Sequence, residues 1–310
     1  MKTILSKNSI RRLTPDLPFY LLSALLLFGI KYFYSGAGSD ALKWILAPTT
    51  RWVTLLSGIP FVYEKGTGYV NHSLRLLVAP SCSGVQFMLI TFAVLVFSFL
   101  HRIGDTNLTP EPLSETDVKP VLDSSRGCRF RALDTLYCFY PVWKKLLWVA
   151  ASLLLSYVLT ILVNGLRIIA AIYLPIYFEE TPFLRELLSP EKLHTAIGIV
   201  VYFVSLLIVY HLAEYAFQKR ERKGRDGTSP LNPFLRKCLA PAFWYFFIVL
   251  GIPFLNKAYW KSGAQFTDFA LLVAGCCSII LLLYALSVLV WKGFHRRLDS
   301  PEQTAERQDI

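Results

Sequence analysis

Apolar residues along the chain fall into long runs rather than the alternation or three-to-four spacing that marks a soluble core. The runs Leu17–Tyr34, Val85–Leu100, Leu146–Val163 (continuing past a break to Phe178), Leu193–Phe217, Pro241–Leu255 and Phe269–Trp291 predict six membrane-crossing helices. Between the first two runs the pattern changes. Ala41–Ser57 is apolar only in part and carries Lys43, Pro48 and Arg51, which suits an amphipathic helix lying at the membrane interface. Ile59–Ala79 reads as an external hairpin: I-P-F-V-Y, a turn at Lys65-Gly66-Thr67-Gly68, then Leu74, Leu76 and Val78 alternating with polar or smaller neighbours. The expected fold class is therefore an all-α polytopic membrane protein with about six transmembrane helices. A β-hairpin-like segment and an interfacial helix precede the second span.

Composition agrees with this class. The 310 residues are 54% hydrophobic with a mean hydropathy of +0.46, outside the range of an ordinary soluble domain. The net charge of +11 would suit a nucleic-acid partner only if the basic residues shared one face. Instead they cluster between the apolar runs. With both termini inside, 22 of the 32 Lys and Arg fall on inner segments and eight on outer ones. Membrane topology accounts for the charge, and the lipid bilayer, not nucleic acid, is the expected partner.

The expected organisation is a basic cytoplasmic N-terminus (1–16), a membrane core (17–217) with a cytoplasmic loop at 101–145, a basic cytoplasmic linker (218–237), an additional helix pair (238–292) and a cytoplasmic tail (293–310). Within that loop, Gly104–Tyr140 reads as a long cytoplasmic insertion. The first run, behind Lys2, Lys7, Arg11 and Arg12, reads as a signal anchor in preference to a cleaved signal peptide. The aromatic cluster Phe28, Tyr32, Phe33 and Tyr34 resembles an interfacial belt. No metal-type Cys or His spacing is present, and no cofactor is expected.

Topology then selects chemistry. Cys82 falls at the outer start of the second span, Arg167 in N-G-L-R just past the outer end of the third, and His194 at the outer start of the fourth. Cys128, Cys138 and Cys238 are assigned inside, and Cys276 and Cys277 lie within the last span, so Cys82 is the one thiol expected to face outward. Its setting, V-A-P-S-C-S-G-V-Q, has Pro80 and Ser81 ending the extended run and Gly84 opening a helix. The free N–H groups at such a start favour a thiolate and can hold an oxyanion. Ser81 and Ser83 read as helix caps. Asn164-Gly165 reads as a break at the membrane face that positions the Arg167 guanidinium. His194 is the expected base, with His72 its external rival; His101, His211 and His295 lie toward the inner face. A packing cysteine, a snorkelling arginine and an interfacial histidine are the structural alternatives for the three.

Cys82-Ser83-Gly84, Asn164-Gly165-Leu166-Arg167 and His194, with G-I-P-F-V-Y-E-K-G-T-G upstream, resemble the exosortase and archaeosortase family of membrane cysteine transpeptidases over roughly Gly58–Tyr215. The resemblance implies Cys82 as nucleophile, His194 as base or ion-pair partner, and Arg167 as transition-state stabiliser, with Ser83, Gly84 and Asn164 in support. It also implies substrates: exported proteins ending in a short motif, of which the Pro-Glu-Pro type is best known, then a hydrophobic span and a basic tail. The enzyme would sit in the plasma (inner) membrane with its site on the extracytoplasmic face. Two features depart from the family pattern, the single span before Cys82 and the added helix pair. A transporter with an outer anion site and a noncatalytic scaffold are the competing classes.

Overall fold

The computed structural model describes residues 16–103, 129–179, 189–221, 231–256 and 263–298. Among the described residues, six helices are long and apolar enough to cross a membrane: Leu17–Gly36, Pro80–Ile103, Val142–Tyr177, Pro190–Gln218, Cys238–Leu255 and Gly263–Val290. This is the architecture of a multi-pass helical membrane protein, and each span includes one of the six runs read from the sequence, save the last residues of two. The chain forms two compact units, residues 1–162 and 163–310.

In the first unit, α1 (Leu17–Gly36) leads to α2 (Lys43–Ser57). The face of α2 that carries Ile45, Leu46, Thr49, Thr50 and Val53 is buried, the i, i+4, i+8 spacing of an amphipathic helix. Pro48 lies inside α2 and has no N–H for the Trp44 carbonyl one turn back. The Tyr157 hydroxyl donates to that carbonyl instead, at 3.0 Å, and the two rings stack with centroids 5.7 Å apart.

A three-stranded antiparallel meander follows: β1 (Val62–Glu64), β2 (Gly68–Asn71) and β3 (Leu76–Val78). The expected hairpin is thus one strand short. The second reversal is made by Asn71, whose Oδ1 accepts the Leu74 N–H at 2.8 Å and whose Nδ2 donates to the Pro60 carbonyl at 2.7 Å. Gly68 is obligatory: its φ is +127°, and a Cβ there would lie 2.6 Å from the Val78 carbonyl oxygen. The loop behind α1 clasps the first turn. Ser39 donates to the Thr67 carbonyl at 2.9 Å, while the Asp40 carboxylate accepts from the Tyr63 hydroxyl and the Gly66 N–H.

The span after the sheet contains α3 (Val85–Ile103), hydrophobic all round and buried over 83% of its most apolar stretch, against at most 39% for any other. Phe92, Val96 and Leu100 form a core with Val149, flanked by Phe19, Tyr20, Leu26 and Leu27 of α1. Asp16 and Lys145 form a buried ion pair at the start of α1. The next helix, α4 (Arg129–Glu179), runs without interruption through Asn164-Gly165. The break expected there is absent: one helical Gly costs only about 1 kcal/mol, and the Asn164 side chain is engaged away from its own backbone, as described below. The long loop expected at 104–140 is shortened, since α4 begins at Arg129; residues 104–128 lie outside those described.

The second unit contains α5 (Pro190–Glu221), α6 (Leu231–Phe246), a π-helical turn (Phe247–Gly251), α7 (Ile252–Leu255) and α8 (Gly263–Leu298). Ser189 caps α5, its Oγ accepting the Lys192 N–H at 3.4 Å, and Pro190 occupies the first turn, where no N–H partner is needed. The helix pair beyond residue 238 packs on α5. Tyr245 meets Phe203 edge-on at 5.1 Å, and the Tyr284 hydroxyl donates to His211 Nε2 at 2.6 Å, while His211 Nδ1 donates to the Leu207 carbonyl. Packing is therefore one role of that pair. The basic N-terminus (1–15), the middle of the linker (222–230), the acidic stretch 180–188, residues 257–262 and the tail 299–310 lie outside the described residues.

Candidate functional site

Cys82 closes a 3-10 turn, Pro80–Cys82, at the end of β3. Its own N–H donates to the Ala79 carbonyl at 2.8 Å, and the Ser83 N–H to the Pro80 carbonyl at 3.0 Å. Gly84 then takes φ +73°, a left-handed conformation that favours glycine, and its carbonyl accepts the Met88 N–H at 3.1 Å to open α3. Cys82 is half-buried and belongs to no disulfide. The Ser81 hydroxyl lies 4.0 Å from its sulfur. Ser83 does not cap α3 with its side chain: its hydroxyl is fully buried and has no hydrogen-bond partner. The cap role falls to Gly84, because the helix opens on a backbone carbonyl whose residue needs positive φ.

The second unit brings Arg167 and His194 together. Arg167 Nη2 lies 3.3 Å from His194 Nε2, across 27 positions of sequence and from two different helices. Arginine has donors only, so Nε2 is the acceptor in this contact and the ring carries its proton on Nδ1. The guanidinium also lies over the Tyr202 ring, 5.5 Å from its centroid. The Tyr202 hydroxyl donates to Asn164 Oδ1 at 2.6 Å, and Asn164 is fully buried. Arg167 Nε is buried with no hydrogen-bond partner, and a methyl group built on Gly198 would stand 3.0 Å from it.

His194, Gly198 and Tyr202 follow one another at intervals of four, so they line one face of α5; Asn164 and Arg167, three apart, share a face of α4. Gly198 and Tyr202 lie inside the apolar run Leu193–Phe217, where neither residue type is unusual. Their only signal was the four-residue spacing from His194. No family model, no curated protein and no solved structure matches this chain. What the residues can do chemically therefore rests on their own geometry.

His72, the rival base, is exposed and pairs with Glu64 at 2.7 Å, an ion pair if the ring is protonated, which ties β1 to the turn after β2. The spans also carry buried polar groups. On α4, Ser152, Ser156, Thr160 and Asn164 recur every fourth residue and are all buried. Ser156 donates to the Ser152 carbonyl and Thr160 to the Ser156 carbonyl, so those two hydroxyls are satisfied within their own helix, whereas the Ser152 hydroxyl is buried with no hydrogen-bond partner. Among the described residues no group of three His, Cys, Asp or Glu is placed to hold a metal ion.

Proposed function

We propose that the chain is an exosortase-like membrane cysteine transpeptidase or peptidase, with Cys82 as nucleophile and Arg167 and His194 as its electrostatic and proton-transfer groups. The observation that carries this reading is the Arg167–His194 contact at 3.3 Å, which unites two residues singled out for their chemistry and not for their proximity in sequence. Helix length supports a common membrane side. A hydrocarbon layer takes about 20 helical residues. Counted from the basic flank Lys144-Lys145 it is crossed near Arg167, counted back from Arg102 it is crossed near Cys82, and counted back from Lys219 it leaves His194 beyond the boundary. The excess of Lys and Arg on the opposite flanks makes that side the extracytoplasmic one, in a plasma (inner) membrane.

The Cys82 sulfur attacks the carbonyl carbon of the substrate's sorting motif, the C–N bond breaks, and a thioester forms. His194 takes the thiol proton and passes it to the leaving amine. Its Nε2 can do so once Arg167 turns from the imidazole to the carbonyl oxygen, where the guanidinium's positive charge stabilises the developing negative charge. An acceptor amine or water then attacks the thioester, the C–S bond breaks and the thiol is restored. Substrates on this reading are exported proteins with a C-terminal motif, hydrophobic span and basic tail.

The test is expression with such a tailed protein from the same genome. Cys82→Ala should insert normally yet leave the tail uncleaved, and a membrane-impermeant maleimide should label the wild type at Cys82 alone from outside. Full processing by Cys82→Ala would overturn the reading. The buried polar stripe of α4 favours a second one, a transporter with Arg167 at an anion site. It predicts anion flux in proteoliposomes that Arg167→Gln abolishes and Cys82→Ala leaves intact.

A further inference from the structure

We infer that Gly198 and Tyr202 are positioning residues for Arg167, and that together they hold its guanidinium on His194 so that the imidazole rests with Nε2 capped and its proton on Nδ1. Three contacts on one helix face carry this. Gly198 leaves the space that the Arg167 stem enters: a Cβ there would meet Nε at 3.0 Å, a separation at which one of the two must give way. Tyr202 presents its ring to the guanidinium at 5.5 Å, and its hydroxyl is anchored 2.6 Å from Asn164 Oδ1. His194, one turn before Gly198, receives Nη2. The buried Nε, with no hydrogen-bond partner, shows that space and the aromatic face, rather than a full set of hydrogen bonds, fix the stem.

The functional consequence rests on the proposed transpeptidase reading. While Arg167 stays seated, the Nε2 lone pair of His194 is occupied, so the base is released only when another oxygen draws the guanidinium away. Gly198 and Tyr202 then set how firmly the resting site is closed.

The test uses the full chain in nanodiscs with ¹⁵N-labelled histidine, the His194 signals being assigned with His194→Gln. Wild type should show the Nδ1–H tautomer at His194. Gly198→Val should release Nε2 and shift the ring toward the Nε2–H form, with Gly198→Ala a smaller step in the same direction for use if the valine variant does not fold. Tyr202→Phe, which keeps the ring face, should resemble wild type, whereas Tyr202→Leu should resemble Gly198→Val. Unchanged His194 signals in both Gly198→Ala and Tyr202→Leu would overturn the inference, whatever the activity. In a processing assay Gly198→Val should lower kcat on the order of 100-fold, as misplacement of a catalytic group by about 1 Å does. If the spectra respond but Cys82→Ala still processes substrate, the positioning stands and the transpeptidase reading falls.

Discussion

At the residue scale, the chain places unusual backbone where it places unusual chemistry. Gly84 stands two residues beyond Cys82 at φ +73° and opens the helix that follows, so the path of the chain past the thiol depends on a conformation that a side chain resists. Gly84→Ala should therefore cost about 1–3 kcal/mol, seen as a lower unfolding temperature in detergent, and should slow maleimide labelling of Cys82 by changing its presentation. An unchanged unfolding temperature would show that the turn accepts an L-residue. Cys82, Arg167 and His194 stand out in the sequence because each is a reactive or charged group at the edge of an apolar run, and of the three the structure shows Arg167 and His194 in contact. Gly198 and Tyr202 do not stand out: a glycine or tyrosine in a span is ordinary, and only the approach of α4 gives each its task. Ser83 was misread because a serine before a helix usually caps it, whereas here positive φ at Gly84 moves the cap by one residue.

At the scale of elements, the connection between α1 and α2 is tied to the sheet by charge as well as by shape. The Tyr63 hydroxyl and then the Gly66 N–H hold the Asp40 carboxyl below the ordinary carboxylate range, and the same contact pushes the Tyr63 hydroxyl up to about 12. A lowered acid contributes stability above its unfolded value near 4 that is lost as pH falls through the folded value. A raised phenol contributes below its unfolded value near 10 and loses that contribution as pH rises through about 12. The clasp should hold across the neutral range and open at both extremes. Protection of the Gly66 amide from hydrogen exchange, relative to its intrinsic rate at each pH, should fall below about pH 4 in wild type, and Asp40→Asn should abolish that acid response; an acid response that persists would place its origin elsewhere. The first reversal of this sheet was legible in Lys65-Gly66-Thr67-Gly68. The second was hidden because Arg75, not a glycine, takes the left-handed conformation there, at φ +53°, and the buried Asn71 supplies the turn.

At the scale of the whole molecule, the six spans were legible because hydrocarbon thickness fixes their length, and no tertiary detail is needed to see a run of that size. What joins them was not. Asp16 and Lys145 lie 129 positions apart and are both buried, so neither charge is tolerable without the other. Asp16→Asn should destabilise the protein by about 3–5 kcal/mol, while replacing both with leucine and methionine should recover most of that loss; thermal unfolding of the single and double variants in detergent decides it. The Asn164-Gly165 pair misled for the opposite reason, since a local helix-breaking signal was overridden by a helix long enough to absorb it. A last dependence follows from Pro48. The Tyr157 hydroxyl serves a carbonyl that is vacant only because residue 48 is an imino acid, so the two positions are conditional on each other. In the parent chain Tyr157→Phe should cost about 1 kcal/mol. In a Pro48→Ala background the restored amide competes for the same acceptor, and the penalty should largely vanish. A tyrosine 109 places downstream thus becomes dispensable or required according to a single ring closure on another helix, an epistasis that a substitution scan of either position alone would miss.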